Sequence, residues 1–513
     1  MKRFISLIIA VILVFSFTAP TLAASNRCGC GTAPVVFVPG FGEAIYLNPG
    51  KDNEVSVFPP STDAIMSAIP DIIKALAGVI IAGDYDAFGT YVMEGAEKML
   101  GQMACDENGN PLENVGIDTK ELPSVDTHKN TLYDYCSHLV DEPTGDYNFI
   151  YDWRLDPMDN AKGLKEFIDR VKEITGHKKV VLACHSQGNT VVASYLYLYG
   201  SSSIEKLLFL SPAFQGLSLI GAIMTRDVSL AGKDEALNEF LRGVLGYETL
   251  ESQLVGAIVS ILNDYGITGY LLNYIQKILT EQFDRIMDEF LIDTMGTMPG
   301  VWSFVPDECY EEAKELNFKG NEKYDALVKK LDRYHYNVQN NIVKIINKAK
   351  ASGTAVVIVA GYDISSIPVA GGEANHSDFL IDTKYMSIGA TCAPIGKTLG
   401  DGYKQAKRSC GHNHVSPDNT IDASTCAYPE YTWFVRGNPH NGFGSAYRDF
   451  LTWAVLYDGQ PTVRSSKLYP QFIQLSDGEL SPVTSPRTED TRMDEVIAFE
   501  AIYYMIKNAV VGL

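Results

Sequence analysis

The sequence is poor in positive charge. It contains 42 Lys and Arg against 63 Asp and Glu, a formal net charge of −21. Nucleic acids and anionic membranes attract proteins through basic surfaces. This balance therefore excludes nucleic acid as a partner and excludes electrostatic docking on anionic lipid. Any contact with a lipid surface has to be apolar and transient.

Beyond its first residues the chain also lacks an uncharged apolar run of the roughly 20 residues needed to cross a bilayer. The N-terminus has Lys2 and Arg3, then an apolar run from Phe4 to Phe17, then small residues up to Ala24. This order is typical of a secretory signal peptide. We expect residues 1–24 to be removed, with cleavage near Ala23 or Ala24, and the mature protein to be secreted.

Cysteine is not scarce, but its count is odd. An exported chain with nine cysteines is expected to form disulfides and to leave one thiol unpaired. We expect the free thiol to be Cys184, because it falls in a predicted buried strand. Spacing alone does not fix the pairing of the other eight, which are Cys28, Cys30, Cys105, Cys136, Cys309, Cys392, Cys410 and Cys426.

One cysteine lies in the run Cys410-Gly411-His412-Asn413-His414. A thiolate and two imidazoles are metal ligands, yet no second cluster with partner spacing completes the set. We interpret the run as a solvated loop that carries a disulfide. No metal and no cofactor are predicted.

Short apolar runs, each followed by a turn, predict parallel strands buried on both faces. They are Val35–Val38, Tyr147–Tyr151, Lys179–Ala183, Ile204–Leu210 and Thr354–Ala360. Between the second and third of these runs, residues 161–174 have apolar side chains at helical spacing. Strand and helix in alternation indicate an α/β fold with a doubly wound, mostly parallel sheet.

Two long stretches interrupt the alternation. Residues 43–146 form the first insertion, and residues 214–352 carry amphipathic helical patterns without a clear strand. Long insertions between core strands often hold function, so we interpret the second as a helical cap or lid, with ordinary helical packing as the alternative. The core then comprises residues 25–213 and 353–513, the latter including a C-terminal extension.

Ser186 lies at the end of a predicted buried strand and directly before the helical run Thr190–Tyr199. This is the layout of a nucleophile elbow, in which a sharp turn presents the serine hydroxyl. Cys184 and Gly188 supply the small residues two positions before and after it. Ser186 is therefore the predicted nucleophile, and it needs a base to activate it.

A glycine-flanked turn, Val38-Pro39-Gly40-Phe41-Gly42, follows the first predicted strand. Ligands collect at the carboxyl ends of strands in open α/β sheets. The N–H groups of Phe41 and Gln187 are therefore the predicted oxyanion hole.

The acid and the histidine of this layout follow the serine in the order Asp or Glu, then His. We assign the base to His440, whose loop follows the apolar run 432–435. His335 lies in a charged helix and is expected at the surface.

For the acid we choose Asp418, which stands on a turn upstream of His440. Asp363 follows the strand that ends at Ala360, keeps the chain order and stays a competitor. Asp477 comes after every histidine, breaks that order and is better suited to a solvated turn. The acid would hold the imidazole in the correct tautomer.

Three motifs together resemble the lecithin:cholesterol acyltransferase and phospholipid:diacylglycerol acyltransferase family and its bacterial lipase-like relatives. They are Pro34–Gly42, Tyr151–Arg154 and His185–Asn189. The resemblance implies an α/β-hydrolase fold and acyl-ester chemistry. It also implies that Trp153 lines the pocket for the acyl chain or head group. For the two charged residues of this motif, Asp152 and Arg154, a structural ion pair is an equally good interpretation.

The stretch 299–306, with Trp302, is similar to the family's Pro- and Trp-bearing segment within the cap, which makes Trp302 a second predicted substrate contact. Asp418 resembles the acid on the family's Asp-Gly turn, with Asn419 in place of the glycine. No cysteine lies between Cys30 and Cys105, so the family's short disulfide-closed lid is missing. Sterol acceptor specificity is therefore not implied.

These observations predict a secreted serine hydrolase that cleaves or transfers acyl groups of lipid carboxylic esters through an acyl-enzyme. The substrate partner is a lipid or another acyl ester. An O-acyltransferase with an alcohol acceptor is the alternative. Two further alternatives are a secreted peptidase or amidase and a non-catalytic binding protein that kept the fold.

Overall fold

The computed structural model describes residues 33–77, 84–118, 147–229, 276–277, 281–367, 375–407, 410–476 and 478–484. The predicted signal peptide, Cys28, Cys30, Cys136 and Asp477 lie outside these residues. Within them, none of the helices has the length and apolar character needed to span a bilayer.

The strands are numbered in chain order. They are β1 (Val35–Val38), β2 (Ile45–Leu47), β3 (Val55–Phe58), β4 (Val115–Gly116), β5 (Tyr147–Asn148), β6 (Val180–His185), β7 (Ile204–Leu210), β8 (Ala355–Tyr362), β9 (Ile364–Ser365), β10 (His376–Ser377), β11 (Thr391–Cys392), β12 (Ile421–Asp422), β13 (Thr432–Arg436), β14 (Phe472–Ser476) and β15 (Glu479–Pro482).

The α-helices are α1 (Thr62–Ala77), α2 (Tyr85–Leu100), α3 (Pro157–Thr175), α4 (Gly188–Tyr199), α5 (Ser218–Met224), α6 (Pro299–Trp302), α7 (Asp307–Phe318), α8 (Asp325–Asn337), α9 (Ile342–Ala351), α10 (Thr383–Met386) and α11 (Arg448–Leu456). A π-helical turn, Met287–Leu291, precedes α6.

The central sheet has eight strands in the order β15-β14-β13-β8-β7-β6-β1-β5. Every neighbouring pair is parallel except β14 with β15. Strands β7 and β8 are almost wholly buried and rich in branched apolar residues, as expected when helices cover both faces of a sheet. The predicted doubly wound α/β class is confirmed.

The connection between β5 and β6 shows how the sequence builds this layer. Asp156 caps α3 by accepting the N–H of Met158, and Pro157 occupies the first turn, where its missing N–H costs nothing. The helix ends at Gly176, whose φ of 69° is in the left-handed region that glycine tolerates. The helix predicted over 161–174 thus lies inside α3.

Both interrupting stretches have structure of their own. Residues 43–118 carry α1, α2 and a small antiparallel sheet in the order β3-β2-β4. The described residues of 214–352 are helical, from α5 to α9. No strand occurs in the described part of this stretch, in agreement with the amphipathic pattern.

Lys206 is an unusual charge in the interior, on β7. Its ammonium donates to the carbonyls of Ala454 and Val455 at 2.9 Å and of Tyr457 at 2.6 Å, where α11 ends. Burial lowers the pKa of Lys206 to about 8. The side chain satisfies carbonyls that a helix end leaves without partners, and its positive charge complements the negative end of the helix dipole.

The six described cysteines are free. Cys184 is completely buried on β6 and burial raises the pKa of its thiol, as expected for an inert cysteine. The expectation that the others form disulfides is wrong for Cys105, Cys309, Cys392, Cys410 and Cys426.

Candidate active site

Ser186 lies in the tight turn between β6 and α4. Its φ of 52° is strained for a residue with a Cβ, a feature that concentrates at functional sites. Gly188 lets α4 approach β1, because a Cβ there would stand 2.3 Å from the carbonyl oxygen of Val38. A Cβ on Gly40 would stand 2.7 Å from the Cβ of Ser186. The elbow predicted from the sequence is therefore present.

His440 reaches Ser186 from the loop that follows β13. Its Nε2 is 2.9 Å from the Oγ of Ser186. The loop is held over the sheet by its backbone, since the N–H of His440 donates to the carbonyl of Asp378 at 2.8 Å and the N–H of Gly437 to that of Tyr362 at 2.9 Å. The two predicted residues are thus brought together by main-chain contacts as well as by their side chains.

Asp378, which was not among the predicted acids, is the carboxylate beside His440. Its Oδ2 is 2.8 Å from Nδ1 of His440, and its Oδ1 accepts the N–H groups of Ile381 at 2.8 Å and Leu380 at 3.1 Å. Burial by itself would raise the pKa of this carboxyl, but His440 and the N–H of Ile381 bring it below its usual range. An ionised Asp378 fixes the proton on Nδ1 and leaves Nε2 free to accept from Ser186.

Asp418 does not meet His440, and this corrects the predicted acid. Its Oδ2 accepts the hydroxyl of Tyr362 at 2.9 Å and lies 3.4 Å from Arg436, while its Oδ1 accepts the hydroxyl of Thr420 at 2.8 Å. Tyr362 and Arg436 stand at the carboxyl ends of β8 and β13. Asp418 ties its turn to the sheet, and no contact of its carboxylate with the serine or the histidine is found among the described residues.

The competing acid Asp363 and the histidine His335 have different surroundings. Asp363 has a φ of 66° and its N–H donates to Nδ1 of His376 at 3.1 Å. His335, expected at the surface, is 2% exposed. Its ring stacks on Tyr310 at 3.6 Å and its Nε2 contacts Asp307 at 3.0 Å. The amphipathic α8 turns this histidine inward.

The turn after β1 is held by the motif 151–154. The hydroxyl of Tyr151 donates to the carbonyl of Pro39 at 2.9 Å, and the indole N–H of Trp153 donates to the carbonyl of Glu43 at 2.9 Å. The ring of Phe41 lies 4.1 Å from that of Trp153 and is 47% exposed. An aromatic wall thus lies beside the turn that was predicted to hold the oxyanion, with Phe41 exposed and Trp153, which is 1% exposed, buried behind it.

Gln187 connects this wall to the helical stretch. Its Nε2 donates to the carbonyl of Trp153 at 2.8 Å and to that of Gly300 at 3.2 Å. Gly300 is required by the close approach, because a Cβ there would lie 1.9 Å from the oxygen of Trp153. The N–H of Gln187 is at the start of α4, where the helix dipole favours negative charge.

Three of the remaining motif residues serve packing. Arg154 and Asp152 form a buried pair with Nε to Oδ1 at 2.9 Å, and Arg154 also donates to the carbonyls of Met103 and Val115. Trp302 is 2% exposed, and its indole N–H donates to the carbonyl of Gly296. Its ring packs against Phe318 at 5.1 Å, and none of its contacts in the described part of the chain is with the Ser186–His440–Asp378 chain.

His185, directly before the nucleophile, supports the histidine loop. Its Nε2–H donates to the carbonyl of His440 at 2.9 Å. Burial first, and then the neighbouring charge of His440, lower the pKa of His185 to about 4. The ring therefore stays neutral above about pH 4 and places no positive charge beside His440.

This shifted pKa predicts a pH dependence of stability. Unfolded histidine titrates near pH 6.5, so between pH 6.5 and about 4 the unfolded chain binds a proton that folded His185 does not. The free energy of unfolding is expected to decrease as the pH is lowered through that window, by up to about 1.4 kcal/mol per pH unit for this group. His185→Gln keeps a donor to His440 and should make the slope shallower.

The measurement is urea denaturation of wild type and His185→Gln at a series of pH values between 4.5 and 7.5. Burial lowers the pKa of His376 to about 4 as well, so His376→Gln serves as the comparison and should remove a slope of similar size. Parallel curves for wild type and His185→Gln would contradict the assignment.

The fold and this serine turn define the class: an α/β-hydrolase. The sequence model of the lecithin:cholesterol acyltransferase family matches residues 147–243. The chain is similar to that family over this stretch, which confirms the resemblance seen in the motifs. The match supports, in general terms, an acyl-ester hydrolase or an acyltransferase.

No curated protein matches the chain. Among solved structures, a chain from the crystal structure of the Tle4-Tli4 complex is similar at 12% sequence identity. The alignment covers 64% of this chain and 75% of that one, with a TM-score of 0.23.

Proposed function

We propose that the protein is a secreted serine esterase that acts on lipid acyl esters through a covalent acyl-enzyme. The observation that carries the proposal is the chain of contacts from Ser186 to Asp378. The Oγ of Ser186 is 2.9 Å from Nε2 of His440, and Nδ1 of His440 is 2.8 Å from Asp378. Secretion is part of the proposal and rests on the order of residues 1–24.

In the proposed mechanism the Oγ of Ser186 attacks the ester carbonyl while His440 takes its proton. The N–H groups of Phe41 and Gln187 stabilise the oxyanion of the tetrahedral intermediate. The C–O bond to the leaving alcohol then breaks, and His440 returns the proton to that alcohol. Water attacks the acyl-enzyme with His440 again as base, releasing the acid and restoring Ser186.

An apolar surface near the turn supports a lipid substrate. Phe41 is exposed beside Trp153, and its ring lies 5.8 Å from Phe58 at the end of β3. Helix α1 follows directly and exposes Ile65 and Met66, which are 44% and 60% accessible. We propose that these side chains make the transient apolar contact with lipid that an acidic protein has to use.

The helical stretch 214–352 is the proposed cap. Its α6 adjoins the nucleophile turn through Gly300, whose carbonyl accepts from the side chain of Gln187 and whose N–H donates to the carbonyl of Arg154 at 2.8 Å. The cap would therefore shape the acyl pocket next to the exposed ring of Phe41, against which the buried ring of Trp153 packs. Trp302 would support the cap by packing.

Acyl transfer is a second candidate, favoured by the family match to residues 147–243. It uses the same acyl-enzyme, and an alcohol takes the place of water in the second half. The two reactions are distinguished by product, because transfer forms a new ester when an alcohol is present.

The proposed function is tested by hydrolysis of p-nitrophenyl esters of graded acyl length, with and without a long-chain alcohol. We expect wild-type turnover that increases with chain length, and one alkyl fluorophosphonate bound per chain on the peptide containing Ser186. A preference for amide substrates would favour the peptidase alternative. Absence of both turnover and labelling would leave the binding-protein alternative.

The lipid contact is tested separately with Ile65→Ser/Met66→Ser. We expect activity on emulsified ester to fall severalfold and activity on a soluble short-chain ester to stay unchanged, because only binding to the aggregated lipid is weakened. Leu468→Ser is the matched control, since Leu468 is 70% exposed and precedes β14, near the amino ends of the parallel strands. Equal losses in both variants would contradict a specific contact by α1.

A further inference from the structure

A second group of reactive side chains lies away from Ser186. Cys410, His412 and His414 come from one loop, and Glu430 comes from the turn before β13. Each offers one ligand atom, and these atoms lie within 4.8 Å of one another. The Sγ of Cys410 is 2.8 Å from Nε2 of His414, which is 3.4 Å from Oε1 of Glu430. Nδ1 of His412 is 3.3 Å from the same oxygen.

The buried histidine of this group is held in a ligating orientation. The Nδ1–H of His414 donates to Oε1 of Gln471 at 2.6 Å, so the lone pair of its Nε2 faces Cys410 and Glu430. Gln471 is itself fixed, because its amide donates to the carbonyl of Pro429 at 2.6 Å. Histidines that bind metals commonly have such a partner on the other ring nitrogen, which sets the tautomer and the ring orientation.

We propose that Cys410, His412, His414 and Glu430 bind one Zn²⁺ ion. A thiolate, two imidazoles and a carboxylate are the donors that zinc accepts, and four protein ligands make a closed tetrahedral site of the structural kind. Calcium and magnesium prefer oxygen ligands only. Two negative ligands also neutralise the charge of a divalent ion.

Arg464 borders the site and has to adjust. Its Nη1 is 2.9 Å from Nε2 of His412 and its Nε is 3.2 Å from Oε2 of Glu430. With zinc on Nδ1, the Nε2 of His412 carries the ring proton and no longer accepts from Arg464. The arginine side chain is 57% exposed, so it can release His412 and keep the outer oxygen of Glu430.

The position of the site indicates what the ion does. Glu430 lies two residues before β13 and Gln471 immediately precedes β14, so the ion joins the loop 410–414 to the starts of two parallel strands. The proposed catalytic loop with His440 follows the other end of β13. Zinc therefore stabilises the sheet segment that carries the histidine loop and takes no part in the acyl chemistry.

The test uses the full chain, freed of metal with a chelator and titrated with Zn²⁺ or Co²⁺ alone. We expect one ion per chain by mass spectrometry under native conditions and a thermal midpoint that rises with zinc. Bound Co²⁺ should show a thiolate charge-transfer band that is lost in Cys410→Ser. Gln471→Leu, which removes the orienting partner of His414, should weaken binding about 10- to 100-fold.

Two further variants distinguish a loss of zinc binding from a loss of folding. His412→Ala changes a partly exposed side chain and should fold as wild type while losing the zinc-dependent rise in midpoint. Cys309→Ser, at a half-buried thiol elsewhere, should bind zinc as wild type does. Binding that is absent, substoichiometric, or unchanged in both Cys410→Ser and His412→Ala would overturn the proposal. Ser186→Ala should bind zinc normally, which separates this result from the proposed esterase activity.

Discussion

Replacing Ser186 by alanine is expected to reduce kcat on an acyl ester by about 10⁶-fold. The hydroxyl is the only part of the side chain that forms a bond to the acyl group in the proposed mechanism, so its removal leaves only the oxyanion donors and substrate binding. The residual rate should still exceed that in water by about 10³- to 10⁴-fold. The measurement is kcat and KM on a p-nitrophenyl ester of the preferred length.

Ser201→Ala is the matched control for this variant. Ser201 is also buried, at the end of α4, and its hydroxyl has no hydrogen-bond partner in the described part of the chain. Its loss should leave kcat unchanged. A Ser186→Ala protein that folds normally and retains more than about one hundredth of wild-type activity would rule out Ser186 as the nucleophile.

The second large effect is expected at Asp378. Asp378→Asn should lower kcat about 10⁴-fold, because an amide donates to Nδ1 of His440 and forces the proton onto Nε2, where it no longer accepts from Ser186. KM should change little, since the carboxylate is completely buried and the proposed mechanism gives it no contact with substrate.

Asp418→Asn provides the comparison that separates the two acids. Asp418 contacts Tyr362 and Arg436, so its amide should reduce stability while kcat stays within about tenfold of wild type. Measuring both variants at the same pH, with urea denaturation alongside, separates folding from catalysis. The reverse pattern, with Asp418→Asn inactive and Asp378→Asn active, would restore the acid predicted from the sequence.

Much of the sheet was predictable because buried parallel strands are continuous apolar runs. The runs at Val35–Val38 and Ile204–Leu210 match β1 and β7 residue for residue, while the run at Tyr147–Tyr151 contributes only Tyr147–Asn148 to the sheet. Apolar character cannot distinguish pairing from burial by loops: Phe149 and Tyr151 are buried without continuing the strand. The two strands beyond β13, β14 and the edge strand β15, were not predicted.

The site was predictable where local pattern determines geometry. Ser186 is fixed by the strand and helix on either side of it, and His440 by the strand it follows. Asp378 is set by tertiary structure: after β8 the chain runs through β9 and β10 before the carboxylate turns back under His440. Gly361 on β8 allows this return, since a Cβ there would lie 2.8 Å from the Cβ of Asp378.

A usable signal for Asp378 existed in the chain order. It lies between Ser186 and His440 and is the next aspartate after Asp363 beyond β8, so it satisfies the same order as Asp418. Preference for a turn resembling a family motif outweighed that position. The second cluster was predictable only in part. Cys410, His412 and His414 are neighbours in the sequence, but Glu430 comes close to them only through the packing of its turn.

The double hydrogen bond of the Gln187 side chain has a consequence for protein engineering. One residue presents the N–H proposed for the oxyanion hole and also fastens the helical stretch to the core through Trp153 and Gly300. The stretch 214–352 is therefore not an interchangeable module. A chimera that exchanges it for a foreign segment has to retain a carbonyl where that of Gly300 stands, or the transplant will disturb turnover together with selectivity.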